Sequence, residues 1–488
     1  MNSNAKKDKT LKSLVLVVLT NVLIGVSGIA AGFFVPKALG VNGYGYYKLF
    51  SLYGSYASFL LFGVTNGIYL NYAGRSRSDI SIEKMRFVSR SVIISQFLIA
   101  VLLGFVSFIF IPFDTNIFLI VISLGLYVLF FNVLNYFTIV AQSTLEFNKI
   151  ILKNVVSGSL SLIFSISIFV LYKITGVYVK FEIYLALILL LYFALAFWIS
   201  TEYRTLIFGK TCSWKEGLIE IKDLVRLGIV MMIANFISSI FLHIDLQFVS
   251  ILFPIDVFSV YSFAYSIVSL IITVVASAST VLYPALKTLS LDRATANFSH
   301  VISVISCLVS FFQVAFFFVS YIIKIFLPEY EASIEYLSVL FPTIMPITLV
   351  RICLFNYFQA YKKVFHSLFI NLFIFIFSIL LNYLFYSLFK TPKSISIASV
   401  VCLTLYYFIY LHFAKRIMCV KTFKNCLFVM SNLSLFYLFY GVSGFNLKCA
   451  VCIFLLNVIL CFVFYSKELL DIFYKRFKRR CDGWLKKE

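Results

Sequence analysis

The stretch "ITLVRICLFNYFQAYKK", Ile347–Lys363, sets one arginine inside an apolar run that begins at Tyr336 and reaches Ala360 with no other charge. An apolar run of about 18 residues or more is long enough to cross a bilayer as a helix. Arg351 precedes Lys362 by eleven residues, about 16 Å along a helix that rises about 1.5 Å per residue. It falls near the middle of a hydrocarbon layer about 30 Å thick. An arginine at that depth costs roughly 2.5–3.5 kcal/mol on insertion scales. Arg351 is therefore expected to face a wet cavity or an acidic partner, not lipid. Gln359, eight residues on, falls on the same side of a straight helix. Pro342 and Pro346 are expected to interrupt the span outward of the arginine, because proline removes a helical donor.

The rest of the chain has the same character. Of 488 residues, 62% are hydrophobic and 12% charged, against about 45–50% apolar and about 25% charged in a soluble domain. A soluble fold could not hide so much Phe and Ile. Hydropathy gives fourteen spans, near 12–35, 47–72, 88–111, 116–141, 152–172, 181–201, 226–252, 257–286, 301–326, 334–360, 366–389, 394–414, 423–443 and 447–466. The amino end, "MNSNAKKDKTLKSLVLVVLTNVLIGVSG", has lysines before an apolar run that continues to Val35. A signal peptide has a core of only about 7–15 residues, so this reads as a retained first span.

A net charge of +21 invites a nucleic-acid role, and the placement of the charges removes it. With the amino end inside, the inner segments hold 32 of the 41 Lys and Arg, the outer segments hold 8, and Arg351 is the last. That alternation is the positive-inside signature, and a miscounted span would scramble it. The expectation is an all-α polytopic protein of the bacterial cytoplasmic membrane with about fourteen transmembrane helices and both termini cytoplasmic. The basic tail "YKRFKRRCDGWLKKE" is expected to lie on anionic headgroups. The loop "STEYRTLIFGKTCSWKEGLIEIKDLVR" is expected to include an amphipathic helix on the membrane surface. Most of the ten cysteines lie in apolar segments, and Cys449 and Cys452 of "CAVC" lack a second pair. With no histidine nearby, no metal or other cofactor is expected.

Two stretches echo each other. "VNGYGYYKLFSLYGSYASFLLFGVTNGIYLNYA" follows the first span and "IDVFSVYSFAYSIVSLIITVVASASTVLYPALK" the seventh. A shift of 214 residues sets Tyr44 on Phe258, Gly45 on Ser259, Tyr47 on Tyr261 and Tyr69 on Tyr283, and a similar shift sets Gln142 beside Gln359. Two six-span repeats follow; six being even, they share an orientation and their axis runs along the membrane normal. The expected domains are a lobe at 1–201, a cytoplasmic linker at 202–225, a second lobe at 226–414, two extra helices at 415–466 and the tail at 467–488.

The residues then point to a family. "GIAAGFFVPKALGVNGYGYYKLF" resembles the opening of the bacterial polysaccharide exporters, and "HIDLQFVSILFPIDVFSVYSFAYSI" resembles their seventh span and the start of the eighth. "IFLPEYEASIEYLSVLFPTIMP" and "NYFQAYKKVFHSLFINLFIFIFSILLNYLF" are similar to the ninth-to-eleventh-span region of that family. The chain is identified as a Wzx-type O-antigen or polysaccharide flippase of the multidrug/oligosaccharidyl-lipid/polysaccharide exporter superfamily. Two departures stand out: Leu246 follows Asp245 where a basic residue is usual, and Ser259 replaces a common glycine. The resemblance implies two lobes around a cavity that opens alternately to each side. It implies no enzymatic step, a cargo of oligosaccharide joined by pyrophosphate to undecaprenol, contact with membrane lipids, and a polysaccharide polymerase and chain-length machinery as partners.

Within that frame Arg351 is expected to attract the pyrophosphate or an acidic sugar through its planar donor fork, the alternative being a structural pair with Asp245 or span-end carbonyls. Gln359 joins it as a binding candidate. Lys48, Ser51, Ser55 and Asn66 fall on one side of a 100° wheel, which makes Lys48 and Asn66 cavity-lining candidates; Lys48 snorkelling to the outer interface is the alternative. Asp245, with Asn235, Ser238 and His243 near it in sequence, is the ion-coupling candidate, the alternative being a carboxylate paired with a base. Three rival functions stay open. A multidrug cation exporter needs carboxylates inside the first lobe, where Asp114, Glu146 and Glu182 sit only at loops and span ends. A polysaccharide polymerase needs a gathered catalytic set, which the short outer loops do not supply. A peptidoglycan-precursor flippase is the third.

Overall fold

Each apolar stretch is helical where the computed structural model describes it, namely residues 3–73, 80–110, 115–276, 286, 290–443 and 447–484. Tyr283 and the last four residues of the basic tail lie outside those residues. The helices run α1 (Ser3–Gly54), α2 (Val64–Tyr72), α3 (Ile82–Phe110), α4 (Thr115–Ser143), α5 (Phe147–Thr175), α6 (Phe181–Glu202), α7 (Arg204–Ile207), α8 (Trp214–Leu242), α9 (Ile244–Leu252) and α10 (Ile255–Ala276). They continue as α11 (Leu291–Ser310), α12 (Ala315–Phe326), α13 (Ser333–Leu340), α14 (Ile344–Thr348), α15 (Phe355–Ala360), α16 (Val364–Phe389), α17 (Pro392–Met418), α18 (Phe423–Ser443) and α19 (Leu447–Trp484). No strand occurs among the described residues.

Twelve helical stretches among the described residues are long and apolar enough to cross a membrane. Two of the fourteen expected spans do not stand apart. The first two run together in one stretch, Leu23–Leu61, through a kink at Gly40 with φ 68°. The thirteenth, α18, is helical over 21 residues, Phe423–Ser443.

The chain forms two compact units, Met1–Phe263 and Ala264–Glu488. In the first, α1 packs along α5, and α4 lies between α3 and α6. Tyr136, Phe137 and Tyr203 are fully buried in its core. α2 crosses α8 with backbones touching: a Cβ on Gly228 would lie 2.1 Å from Gly63 O and 2.4 Å from Gly67 N. A second close approach joins α1 to α10. Ser259 Oγ donates to Val41 O at 2.6 Å, and a Cβ on Gly45 would meet Ile255 O at 2.7 Å. Both 259 − 45 and 255 − 41 equal 214, the offset of the sequence repeat. Under that offset the two contacts exchange, since 41 goes to 255 and 45 to 259.

The long central loop carries two helical segments. Its helical parts are the short α7 and the first turns of α8, which starts where Ser213 Oγ accepts from Glu216 N at 3.3 Å. That is an N-cap, and α8 then runs unbroken to Leu242. Two arginines of α3 hold the loop. Arg86 donates to Thr205 O (2.8 Å) and Lys210 O (3.0 Å), and Arg90 to Ile207 O and Gly209 O, both at 2.7 Å. Gly209 has φ 118° and lies against the Arg86 guanidinium. Gly209→Ala is expected to destabilise the protein by about 1–3 kcal/mol, since only glycine adopts that conformation freely; a thermal melt of the purified protein checks it.

In the second unit α16 packs on α17, and α13 and α14 pack on the same α17. α18 and α19 are tied to the end of α11 by a buried polar chain. Gln313 Nε2 donates to Asn432 Oδ1 (2.7 Å), Asn432 Nδ2 to Asn457 Oδ1 (2.9 Å) and Asn457 Nδ2 to Ser310 O (3.1 Å). Asn432→Leu leaves a buried donor and a buried acceptor unmet, and is expected to lower stability by about 2 kcal/mol. The same melt reads this.

Candidate substrate site

Arg351 lies in a π-helical turn, Leu349–Leu354, between α14 and α15. A 3₁₀ turn at Phe341–Thr343 precedes it, so the span is irregular where Pro342 and Pro346 stand. From Leu340 to Phe358 every residue is buried except exposed Arg351 and half-buried Phe355. Gln359, also half-buried, continues that line four residues further on. The span is thus interior to its unit, and its one open side carries a guanidinium. Arg351 makes no hydrogen bond or ion pair with the described residues, so the pairing alternative has no partner among them. The π-turn packs against α17.

Lys48 lies on α1, half-buried. Its Nζ sits 5.3 Å from the Tyr44 ring centroid and 5.7 Å from that of Tyr47, within cation–π range. The wheel that joined it to Asn66 does not run through. α1 ends at Gly54, a 3₁₀ turn covers Ala57–Leu61, and Phe62 (φ 50°) and Gly63 (φ 82°) turn left-handed before α2 begins. Asn66 follows that break, half-buried at the α2–α8 crossing. Irregular backbone at membrane depth needs partners from the protein, and α3 and α4 supply them. Gln96 Nε2 donates to Leu60 O (2.9 Å), and Asn132 Nδ2 donates to Ala57 O (2.8 Å) and to Gln96 Oε1 (2.7 Å).

Asp245 is 3% exposed and opens α9 just after the break at His243. A helix N-terminus favours a carboxylate. Its Oδ1 accepts from Leu246 N (2.8 Å) and its Oδ2 from the Tyr261 hydroxyl (3.0 Å). Two residues on, Gln247 Nε2 donates to the Tyr56 hydroxyl at 3.0 Å, which joins α9 to the interrupted second span. Lys48, Asn66 and Asp245 belong to the first unit, and Arg351 and Gln359 to the second.

The second unit also holds a polar group that sequence reading passed over. Tyr406 and Tyr410 of α17 both donate to Asn371 Oδ1 of α16, at 3.0 and 3.1 Å. The available signal was an asparagine in the middle of a long apolar run, the same signal that marks Gln96 and Asn132.

No family model matches the chain, and no curated protein matches it. Solved structures do match. The lipid II flippase MurJ in an inward closed conformation superposes with a TM-score of 0.69 at 13% identity, covering 95% of this chain and 99% of that one. An inward-facing multidrug resistance transporter of the MATE family gives 0.58 at 14% identity, over 81% of this chain and 95% of the other. An outward-facing multidrug resistance transporter of the MATE family gives 0.51 at 14%, over 84% of this chain and 96% of the other. The fold is like that of these solved structures. With twelve candidate spans in that fold the chain is a multi-pass membrane protein, and the solved structures it resembles are transporters. At 13–14% identity the likeness speaks to the fold alone.

Proposed function

We propose that this protein is a flippase. It carries undecaprenyl-pyrophosphate-linked oligosaccharide repeat units from the cytoplasmic to the outer leaflet by alternating access, for O-antigen or capsule-type polysaccharide. The observation that carries the reading is Arg351, an open, unpaired guanidinium on a span otherwise buried. A planar donor fork suits a pyrophosphate, and Lys48 adds a second cation for the anionic head. Two cations at the polar positions disfavour the organic cations that a multidrug exporter moves. Asn66 and Gln359 would contact sugar, and Asp245 would couple transport to an ion gradient. A flippase for the peptidoglycan precursor is the second reading, favoured by the likeness to the lipid II flippase fold.

The test is the purified protein in liposomes. It is expected to move a lipid-pyrophosphate oligosaccharide between leaflets without bond cleavage, and to prefer it over lipid II. Extrusion of ethidium-like cations, or lengthening of the glycan, overturns the reading; preference for lipid II selects the second. Asp245→Asn keeps an oxygen for Leu246 N and turns its amide N–H toward the Tyr261 hydroxyl, which can accept it, so it is expected to fold and to lose stimulation by a proton or sodium gradient in the same assay.

A further inference from the structure

Lys48 makes no hydrogen bond or ion pair with the described residues, yet its ammonium is not loose. A helical side chain leans back toward its own N-terminus, and Lys48 accordingly meets Tyr44, one turn earlier on α1. Its Nζ stands 5.3 Å from the Tyr44 ring centroid and 5.7 Å from that of Tyr47, both within cation–π range. The two rings are themselves braced. Tyr44 is 1% exposed and meets Phe263 of α10 edge-on at 6.2 Å. Tyr47 meets Tyr184 of α6 edge-on at 5.0 Å, and the two cradling rings lie 6.0 Å apart. Side chains of α6 and α10 thus fix the rings of α1 on which the ammonium rests. An aromatic ring attracts a cation through its quadrupole and carries no net charge. A carboxylate in the same place would hold the ammonium and cancel it. The three N–H donors of an ammonium are not all spent on ring faces, and Lys48 is only half-buried. A free lysine samples many rotamers, and aiming it costs entropy at the moment of binding. Here that ordering is already done in the folded protein.

We infer that Tyr44 and Tyr47 form a neutral cradle that positions Lys48, so that its ammonium, paired with no acid among the described residues, is presented to a phosphate-type anion. The two tyrosines are positioning residues: they act through Lys48. The inference rests on the flippase reading for the anion, and on the ring contacts of α1, α6 and α10 for the cradle.

The experiment uses the full-length protein in lipid nanodiscs and reads Lys48 directly. Its acetylation by a water-soluble succinimidyl ester is followed by mass spectrometry of the peptide that contains it, with melting temperature recorded beside it. Tyr47→Leu and Tyr44→Leu each remove a ring and are expected to raise the rate at least about threefold, the order of one cation–π contact. Tyr47→Phe and Tyr44→Phe keep the ring and are expected to hold the wild-type rate, a rescue that a merely structural role would not give. Tyr47, being half-buried, decides alone if Tyr44→Leu does not fold. Tyr46→Leu is the control: that ring stacks on Phe181 at 5.1 Å, and its loss leaves both cradle rings in place and the rate unchanged. Inorganic pyrophosphate is then added. It is expected to slow acetylation of Lys48 at least about fivefold in the wild type and less in Tyr47→Leu. A Tyr47→Leu rate that matches the wild type, or that Tyr47→Phe or Tyr46→Leu shares, overturns the cradle. No protection by pyrophosphate in the wild type, with Tyr47→Leu alone still faster, overturns the anion that the flippase reading supplies and leaves the cradle standing.

Discussion

Gly228→Ala is expected to leave almost no folded protein. The new methyl would stand 2.1 Å from Gly63 O, 2.4 Å from Gly67 N and 3.1 Å from Asn66 C. All three are backbone atoms, so no side chain can swing aside. The reciprocal change meets the same wall, since a Cβ on Gly67 would lie 2.0 Å from Leu224 O. Small residues let membrane helices approach closely, and here the approach fixes α2 just after its left-handed turn. Overpacking typically costs about 1–3 kcal/mol and occasionally more; two rigid backbones put this case at about 3 kcal/mol or above. Folded proteins hold only about 5–15 kcal/mol in total. The measurement is size-exclusion chromatography of detergent-solubilised protein, with the monodisperse peak expected to fall more than fivefold. Gly104→Ala is the control, because nothing lies within 4 Å of its Cβ position. If the two variants elute alike, the α2–α8 crossing is not as described.

Arg351→Ala is expected to cut flipping about a hundredfold while leaving the fold intact. The side chain is exposed and makes no hydrogen bond or ion pair among the described residues, so its removal strands no internal partner. Its loss falls instead on the cargo. Deleting one member of a desolvated, hydrogen-bonded charge pair costs about 2–5 kcal/mol, and about 2.8 kcal/mol is a factor of a hundred. Arg351→Lys keeps the charge and loses the bidentate fork, so an intermediate loss of about tenfold is expected. Initial rates in liposomes at equal reconstitution decide it. Wild-type rates in the alanine variant would remove Arg351 from transport.

The helices were legible from hydropathy because a bilayer leaves the backbone few choices. Their interruptions were legible only in part. Pro342 and Pro346 announced the irregular span around Arg351, whereas the break at 55–63 has no proline and rests on Gly63 together with the amides of Gln96 and Asn132, brought from two other helices. A wheel drawn through Lys48 and Asn66 assumed a continuity that tertiary hydrogen bonds abolish. Arg351 was conspicuous as a lone charge; Asn371 and its two tyrosines were hidden by the abundance of tyrosine.

Val41 with Ser259 and Gly45 with Ile255 form one contact written twice, and the two copies are not identical. Two separate identical subunits meeting there would carry the same residue at both places, either a hydroxyl on each side or bare backbone on each. Tandem linkage in a single polypeptide lifts that restriction. One copy fastens through a hydroxyl while the other brings bare backbone in close, so the contact is unequal in a way that no pair of identical subunits could be.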